Sequence, residues 1–317
     1  MLDFESYDNE TYFIKLTHYY MLVIYKTSLN KKQIEAMKKI QNILAICLLC
    51  VALPMSAQRK TLTILHTNDT HSCIYPLSEN LVDTMLAGRG GFMRRIEMLK
   101  QERKKDPDLL LFDSGDFSQG SPYYTLFKGD VEVKLMNEMH YDAGMVGNHE
   151  FDFGLENLAR LAKMMNFPML CANYDFKGTV CEGIIKPYTI IKRKGIKIGV
   201  FALSPEIEGL IDAKNCVGVK FLDPVKVANE METLLKKKKH CDLIICLSHV
   251  GWLNKPICEQ NIIAHSRYID LMLGGHSHTY FKTLRYVKNL DGKPIPVDQN
   301  GKYAIFVGKM KVEMEKK

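Results

Sequence analysis

The sequence predicts an α/β fold. Short apolar runs at 62–67, 109–112, 243–247 and 269–273 read as strands buried on both faces. Between them lie stretches whose apolar residues recur at helical spacing, and that alternation of strand and helix is the signature of a layered α/β domain. A third observation concerns where the polar residues fall: each apolar run stops at a cluster of Asp, Asn or His. In layered sheets ligands gather beyond the carboxyl ends of strands, so clusters far apart in the chain are expected to converge on one site.

Taken in order, the chain begins with residues 1–36, which show tyrosines and mixed charge without a clear purpose. Met37, Lys38 and Lys39 then open a secretory leader pattern with an apolar stretch over 43–51 and Pro54-Met55-Ser56-Ala57 before Gln58. Translation is therefore expected to start at Met37, with residues 37–57 a signal peptide cleaved near Ala57 and the product exported to a periplasm or the cell exterior. The apolar stretch falls short of the ~20 residues of a comfortable span, and Leu48 and Leu49 are not the small residues expected before an acylated Cys50. No stable membrane anchor is expected.

Residues 58–317 form the expected catalytic domain. After the strand at 62–67 comes a helix with Phe92, Ile96 and Leu99 on one face, then the strand at 109–112, then a helix over 155–165 with Leu155, Leu158 and Leu161 aligned. Asp223-Pro224 starts a further helix, Asp as cap and Pro in the first turn, running through Val227, Met231 and Leu234 into Lys236-Lys237-Lys238-Lys239. Those lysines suit the negative end of a helix; a solvated terminus accounts for them, and no nucleic-acid partner is expected. The last strand-like run passes through Ile305 and Val307. With 317 residues, 46% hydrophobic and 25% charged, the chain has material for one large domain or two small ones, and its net charge of +7 is modest. Internal repeats, heptads and low-complexity tracts are absent from the sequence.

The polar clusters are Asn68-Asp69-Thr70-His71, Gly115-Asp116, Gly147-Asn148-His149-Glu150, Ser248-His249 and Gly275-His276-Ser277-His278. Singly each has an ordinary reading: Asp69-Thr70-His71 and Gly115-Asp116 as turns, His249 as a satisfied core histidine, the 147–150 fragment as a turn entering a helix. Together they offer what two adjacent divalent cations need, a carboxylate to bridge them, hard oxygen donors and several neutral imidazoles. Oxygen and imidazole donors accommodate manganese, zinc, iron, cobalt or nickel alike. Glu150 is read as supporting the positive end of the helix that follows it.

Leu65-His66-Thr67-Asn68-Asp69-Thr70-His71, Gly115-Asp116 with Gly120, Gly147 to Asp152, and Gly274-Gly275-His276-Ser277-His278-Thr279 resemble, in order, the motifs of the calcineurin-like metallophosphoesterases. Within them the chain looks like the amino-terminal catalytic domain of the 5′-nucleotidases. The resemblance runs from about Leu62 onward. It implies an αββα sandwich, one metal held by Asp69, His71 and His278, a second by Asn148, His249 and His276, and Asp116 bridging them. It also implies that His149, oriented by Asp152, stabilises the transition state and leaving group without binding metal.

The chemistry expected is phosphate-ester hydrolysis by a metal-activated water, which needs no serine or cysteine nucleophile. Nucleotides are the expected substrates. Cyclic or sugar nucleotides are the alternative, since one metal core serves monoesters and diesters, and a binding module without turnover is a further one. Nucleotide-cleaving relatives usually continue into a base-stacking domain, whereas this sequence stops at Lys317, so a separately encoded nucleotide-binding domain is an expected partner. Cys171 and Cys181 would close a modest loop if paired, though spacing does not settle pairing. Cys73, near His71, is read as a neighbour rather than a ligand, and His66 and His140 as packing or surface histidines.

Overall fold

The computed structural model describes residues 35, 36, 38–42 and 60–314; the expected leader and the segment before it otherwise lie outside the described residues. The chain divides into two compact units, Met1–Gln58 with Lys317, and Arg59–Lys316. In the first, the described residues are helical and exposed. Among the described residues no helix is long and apolar enough to cross a membrane.

In chain order the second unit runs β1 (Lys60–Thr67), α1 (Phe92–Lys105), β2 (Leu110–Asp113), α2 (Pro122–Phe127), α3 (Asp130–Met139), β3 (Gly144–Met145), a 3₁₀ turn (His149–Phe151) and α4 (Gly154–Met164). There follow β4 (Met169–Leu170), β5 (Tyr174–Asp175), β6 (Tyr188–Arg193), β7 (Ile196–Leu203), β8 (Lys220–Phe221), α5 (Pro224–Thr233), β9 (Leu243–Ser248) and α6 (Glu259–Ala264). The unit closes with β10 (Leu271–Leu273), β11 (Arg285–Lys288), β12 (Pro294–Asp298) and β13 (Gly308–Met314). One sheet has the order β13-β1-β2 and a larger one the order β11-β12-β10-β9-β7-β6. β1 and β2 are parallel, as are β7, β9, β10 and β12, so their carboxyl ends share one rim.

Side-chain alternation along the strands builds the layers. Leu62 and Ile64 of β1 and Leu110 and Phe112 of β2 point inward and meet Ile198 and Val200 of β7, Ile245 and Leu247 of β9, and Leu271 and Leu273 of β10, forming a core between the sheets. Their sequence neighbours Leu65 and Leu111 point the other way, under Phe92, Ile96 and Leu99 of α1, Val133 and Met136 of α3, and Leu158 and Leu161 of α4. On the far side Phe201, Ile244, Cys246 and Met272 lie under Val227 of α5 and Ile262 and Ile263 of α6. The result is the expected helix–sheet–sheet–helix sandwich. Strands buried on both faces explain why the sequence shows continuous apolar runs rather than alternation.

Several expectations shift. The strand read through Ile305 and Val307 forms instead over Gly308–Met314, antiparallel to β1. Residues 303–307 stay irregular because Tyr303 and Ala304 have positive φ, 63° and 58°, and the Tyr303 N–H donates to Asp69 O at 2.9 Å, which draws the segment onto a polar loop. The α5 helix ends in a π turn over Leu234–Lys238 that buries Leu235. Lys236 Nζ then reaches past the helix end to the carbonyls of Cys241 and Asp242, each at 3.3 Å. Cys171 and Cys181 do not pair; among the described residues all cysteines are buried free thiols.

Candidate metal centre

The parallel strands end at one rim, and there the structure brings together every residue that the sequence singles out. Asp69 and His71 follow β1, Asp116 follows β2, Asn148 follows β3, His249 follows β9, and His276 and His278 follow β10. Asp69, His71, Asp116, His276 and His278 all adopt left-handed backbone conformations, with φ of 49°, 42°, 55°, 69° and 53°. Such conformations cost roughly 1–3 kcal/mol per non-glycine residue and persist only where the surroundings enforce them. Here the first two loops zip together: Asp69 N–H donates to Gly115 O, His71 N–H to Asp116 O and Ser72 N–H to Phe117 O, each at 2.9 Å. The last loop joins through the His276 N–H, which donates to Asp69 Oδ2 at 2.9 Å. Glycine is required at the closest approaches, since a Cβ at Gly147 would lie 2.3 Å from Asp116 Oδ1 and one at Gly275 would lie 2.9 Å from His249 Nδ1.

The donor atoms fall into overlapping groups. Asp69, His71 and His278 form one: His71 Nε2 is 2.9 Å from His278 Nε2, and Asp69 Oδ1 is 3.8 Å and 3.4 Å from the two imidazoles. Asp69, Asp116 and His249 form another, with His249 Nε2 3.0 Å from Asp116 Oδ2 and 3.8 Å from Asp69 Oδ1. Asn148 Oδ1 lies 3.1 Å from His276 Nδ1, and the His276 ring centroid is 5.2 Å from that of His249. Carboxylate oxygens of Asp69 and Asp116 thus lie 3.0–3.8 Å from the imidazoles of His71, His249 and His278.

Unspent lone pairs show what this arrangement fits. His249 Nδ1 donates to Ser114 O at 2.6 Å, which leaves Nε2 facing a carboxylate without hydrogen-bond geometry, and His71 Nδ1 is likewise buried without a partner. A lone pair aimed at a carboxylate needs a cation between them. A proton meets that need in the metal-free protein: burial opposes charge on His249, but Asp116 and Asp69 outweigh it and push the imidazole up to about 10. Burial, and after it the neighbouring His249, holds His276 down at about 4, and burial lowers His71, so both imidazoles are neutral at ordinary pH. Hard carboxylate oxygens with neutral imidazoles suit divalent metal ions. Cys73 is not among these groups; its thiol donates to Tyr75 O at 3.1 Å.

His149, partly exposed, joins His71 and Asp116 in a third such group, and its Nδ1 lies 3.2 Å from Asp152 Oδ2. Its backbone N–H donates to Asp116 Oδ1 at 3.0 Å and its ring lies 5.5 Å from that of His71. Burial pulls its pKa down, yet the Asp152 hydrogen bond and the Asp116 charge leave it above the ordinary histidine value. With Nδ1 turned to Asp152, Nε2 is the nitrogen free to serve a ligand.

Glu150 is structural, though not through a helix end. Its buried carboxylate accepts from the N–H groups of Gly147 at 2.6 Å, Asp116 at 3.0 Å and Ser118 at 3.1 Å, which clamps two ligand loops together. The sequence reading also passes over Asp298-Gln299-Asn300, which follows the apolar residues of β12 and sits under the 274–278 loop: Gln299 Nε2 donates to Gly275 O and its Oε1 accepts from Ser277 Oγ, each at 2.8 Å. A polar cluster after an apolar run is the same signal that marks the other loops.

The sequence profile of the calcineurin-like phosphoesterases matches residues 62–280. In sequence the chain is 33% identical over 292 residues to a snake venom 5′-nucleotidase of Gloydius brevicauda, covering 84% of this chain and 48% of that protein. In structure it is similar to a 5′-nucleotidase precursor from Thermus thermophilus, with a TM-score of 0.70 and 29% identity over 80% of this chain and 51% of that one. It is similar also to the NAD nucleotidase of Haemophilus influenzae, with a TM-score of 0.71 and 30% identity over 81% of this chain and 48% of that one. The chain spans about half the length of the curated relatives it matches.

Proposed function

The chain belongs to the calcineurin-like phosphoesterase family, and on that premise we propose that it is an exported, metal-dependent phosphohydrolase that removes phosphate from nucleotides. In this reading Asp69, His71 and His278 hold one divalent cation, Asn148, His249 and His276 a second, and Asp116 serves both. The observation that carries it is the convergence of the His71, His249 and His278 imidazoles on the carboxylates of Asp69 and Asp116. When bound, two such cations would neutralise phosphate charge and activate the attacking water.

The remaining work falls to side chains. His149, kept protonated to higher pH by Asp152 and Asp116, directs Nε2–H at the phosphoryl oxygens and the departing oxygen as they gain charge. Asp152 fixes the ring and keeps Nδ1 occupied. A cleft of about 380 Å³ opens beside His276, with Leu210, Leu253 and Ile257 on its walls and Glu206 and Glu208 at its edge, and gives room for the organic part of an ester. Base recognition is assigned to a nucleotide-binding domain outside the described residues, in keeping with relatives about twice as long. The leader pattern at 37–57 supports export.

The test is phosphate release from AMP by the protein loaded with manganese, against a chelated control. Metal-dependent release supports the reading. Fully metallated, folded protein that releases nothing from AMP, yet cleaves a cyclic or sugar nucleotide, moves the assignment to a phosphodiesterase; inactivity on all of them leaves a binding role.

A further inference from the structure

Beneath the ligand loops lies a buried group that the proposed chemistry does not use. His66 Nε2 is 3.0 Å from Ser114 Oγ, and His66 Nδ1 is 3.2 Å from Asp298 Oδ2, with all three residues closed to solvent. Serine, histidine and aspartate in that sequence are the parts of a nucleophilic triad. Here they cannot act as one, because Ser114 is wholly buried and spends its single hydroxyl hydrogen on Leu273 O at 2.7 Å. Proton accounting then makes His66 Nε2 the donor to Ser114 Oγ, so in the neutral ring Nδ1 accepts from the Asn300 amide at 2.9 Å, and that amide also donates to Asp298 Oδ2 at 3.0 Å.

What the imidazole joins is informative. His66 lies on β1, Ser114 follows β2, Leu273 ends β10 and Asp298 ends β12, so one side chain ties carboxyl ends of strands from both sheets. Each tie continues one step further to a candidate ligand. Ser114 O receives the Nδ1–H of His249 at 2.6 Å. Asp298 O accepts from Gly274 N–H at 2.8 Å, at the start of the loop carrying His276 and His278. Asn300 N–H donates to Asn68 Oδ1 at 2.9 Å, and Asn68 Nδ2 donates to Asp69 Oδ2 at 2.7 Å. Space for this group is made by Gly308, where a Cβ would lie 2.0 Å from Asp298 Oδ2.

We propose that His66 is a positioning residue of the metal centre: acting through Ser114, Asp298 and Asn300, it sets the placement of His249, Asp69 and the 274–278 loop, and so the affinity for divalent cations. The proposal rests on reading the site as a metal centre. Groups one step behind metal ligands fix ring orientation and tautomer, and losing one typically costs about 10–100-fold in metal affinity.

The experiment titrates manganese into metal-stripped full-length protein, comparing wild type with Ser114→Ala, His66→Gln and His66→Leu, and records the melting temperature of each metal-free form. Ser114→Ala keeps the carbonyl that receives His249 and removes only the hydroxyl, so it decides the matter even where His66→Leu does not fold. Binding is expected to weaken about 10–100-fold in His66→Leu and about 10-fold in Ser114→Ala. Partial retention is expected in His66→Gln, whose amide can still donate to Ser114, and metal-free Ser114→Ala should melt below wild type but still fold, since it leaves the buried His66 Nε2–H without its acceptor. Unchanged manganese affinity in Ser114→Ala overturns the proposal, and lower melting temperatures with unchanged affinity assign the group a purely structural role. A wild type that binds no manganese overturns the metal-centre reading as well, whereas a binding wild type with unaltered variants overturns this inference alone.

Discussion

His149 and the ligand set make separable demands on their residues, and substitution should separate them. His149→Ala is expected to lower the rate of phosphate release by about 10²–10⁴-fold, the usual contribution of a positioned acid, while metal content measured on the same sample stays at the wild-type value. In metal-free protein His149 should titrate above the ordinary histidine value, and Asp152→Asn should bring that titration down by removing its hydrogen-bonded anion; NMR of the ring protons reads both. A value in Asp152→Asn equal to wild type would remove Asp152 from its assigned role. The residues that converge at the rim were legible from sequence because ligand chemistry tolerates few residue types and the motifs keep short spacings. Glu150 was not, because clamping backbone N–H groups from 34 residues upstream leaves no local pattern.

Elements were legible where hydrophobic periodicity is strong, as in α1, α4, β1 and β9. They were missed where tertiary contacts decide: β13 carries alternating lysines and a glutamate and looks like surface, yet it pairs with β1 over Lys60 to His66. The entry to β10 depends on another unannounced clamp. Glu232 of α5 is buried and accepts from the N–H groups of Arg267 and Tyr268 at 2.8 Å and of Ile269 at 3.0 Å. Glu232→Ala strands these donors and is expected to cost about 1–3 kcal/mol in urea unfolding, the range for buried groups left unsatisfied. At the loop level, Gly147→Ala forces a Cβ into Asp116 Oδ1 and the Asp116 backbone N, and should lower both the metal content and the unfolding free energy of the metal-free protein.

At the scale of the whole molecule, the sandwich core carries the fold and the rim carries the function. Ile245 is fully buried between the sheets, so Ile245→Ala should cost about 2–5 kcal/mol in unfolding free energy. The rim works against that stability when no metal is bound. Burial, and for Glu150 also the Asp116 charge, pushes Glu150 up to about 7 and Glu259 up to about 8, while Asp116 and Asp69 overcome burial to push His249 up to about 10. All three folded-state values are raised, so the stability they contribute is fully present below their unfolded values, near 4.5 and 6.5, and is lost as pH rises through 7 to 10. Metal-free protein should therefore resist urea better at pH 6 than at pH 9, and cation binding should restore stability at the higher pH by mass action. Equal urea midpoints at the two pH values would contradict this charge assignment. The four-layer architecture was legible as α/β from the strand runs alone; how the two sheets meet beneath the site, through His66, was not, because that seam is made by residues more than two hundred positions apart.

The most direct measurement is metal content per chain, by elemental analysis after manganese loading and desalting, for wild type and Asp116→Ala. Two ions per wild-type chain are expected, with a loss of at least one in Asp116→Ala and phosphate release from AMP falling in parallel. A folded wild type that retains no metal, or an Asp116→Ala variant that keeps the wild-type content, would contradict the two-metal assignment.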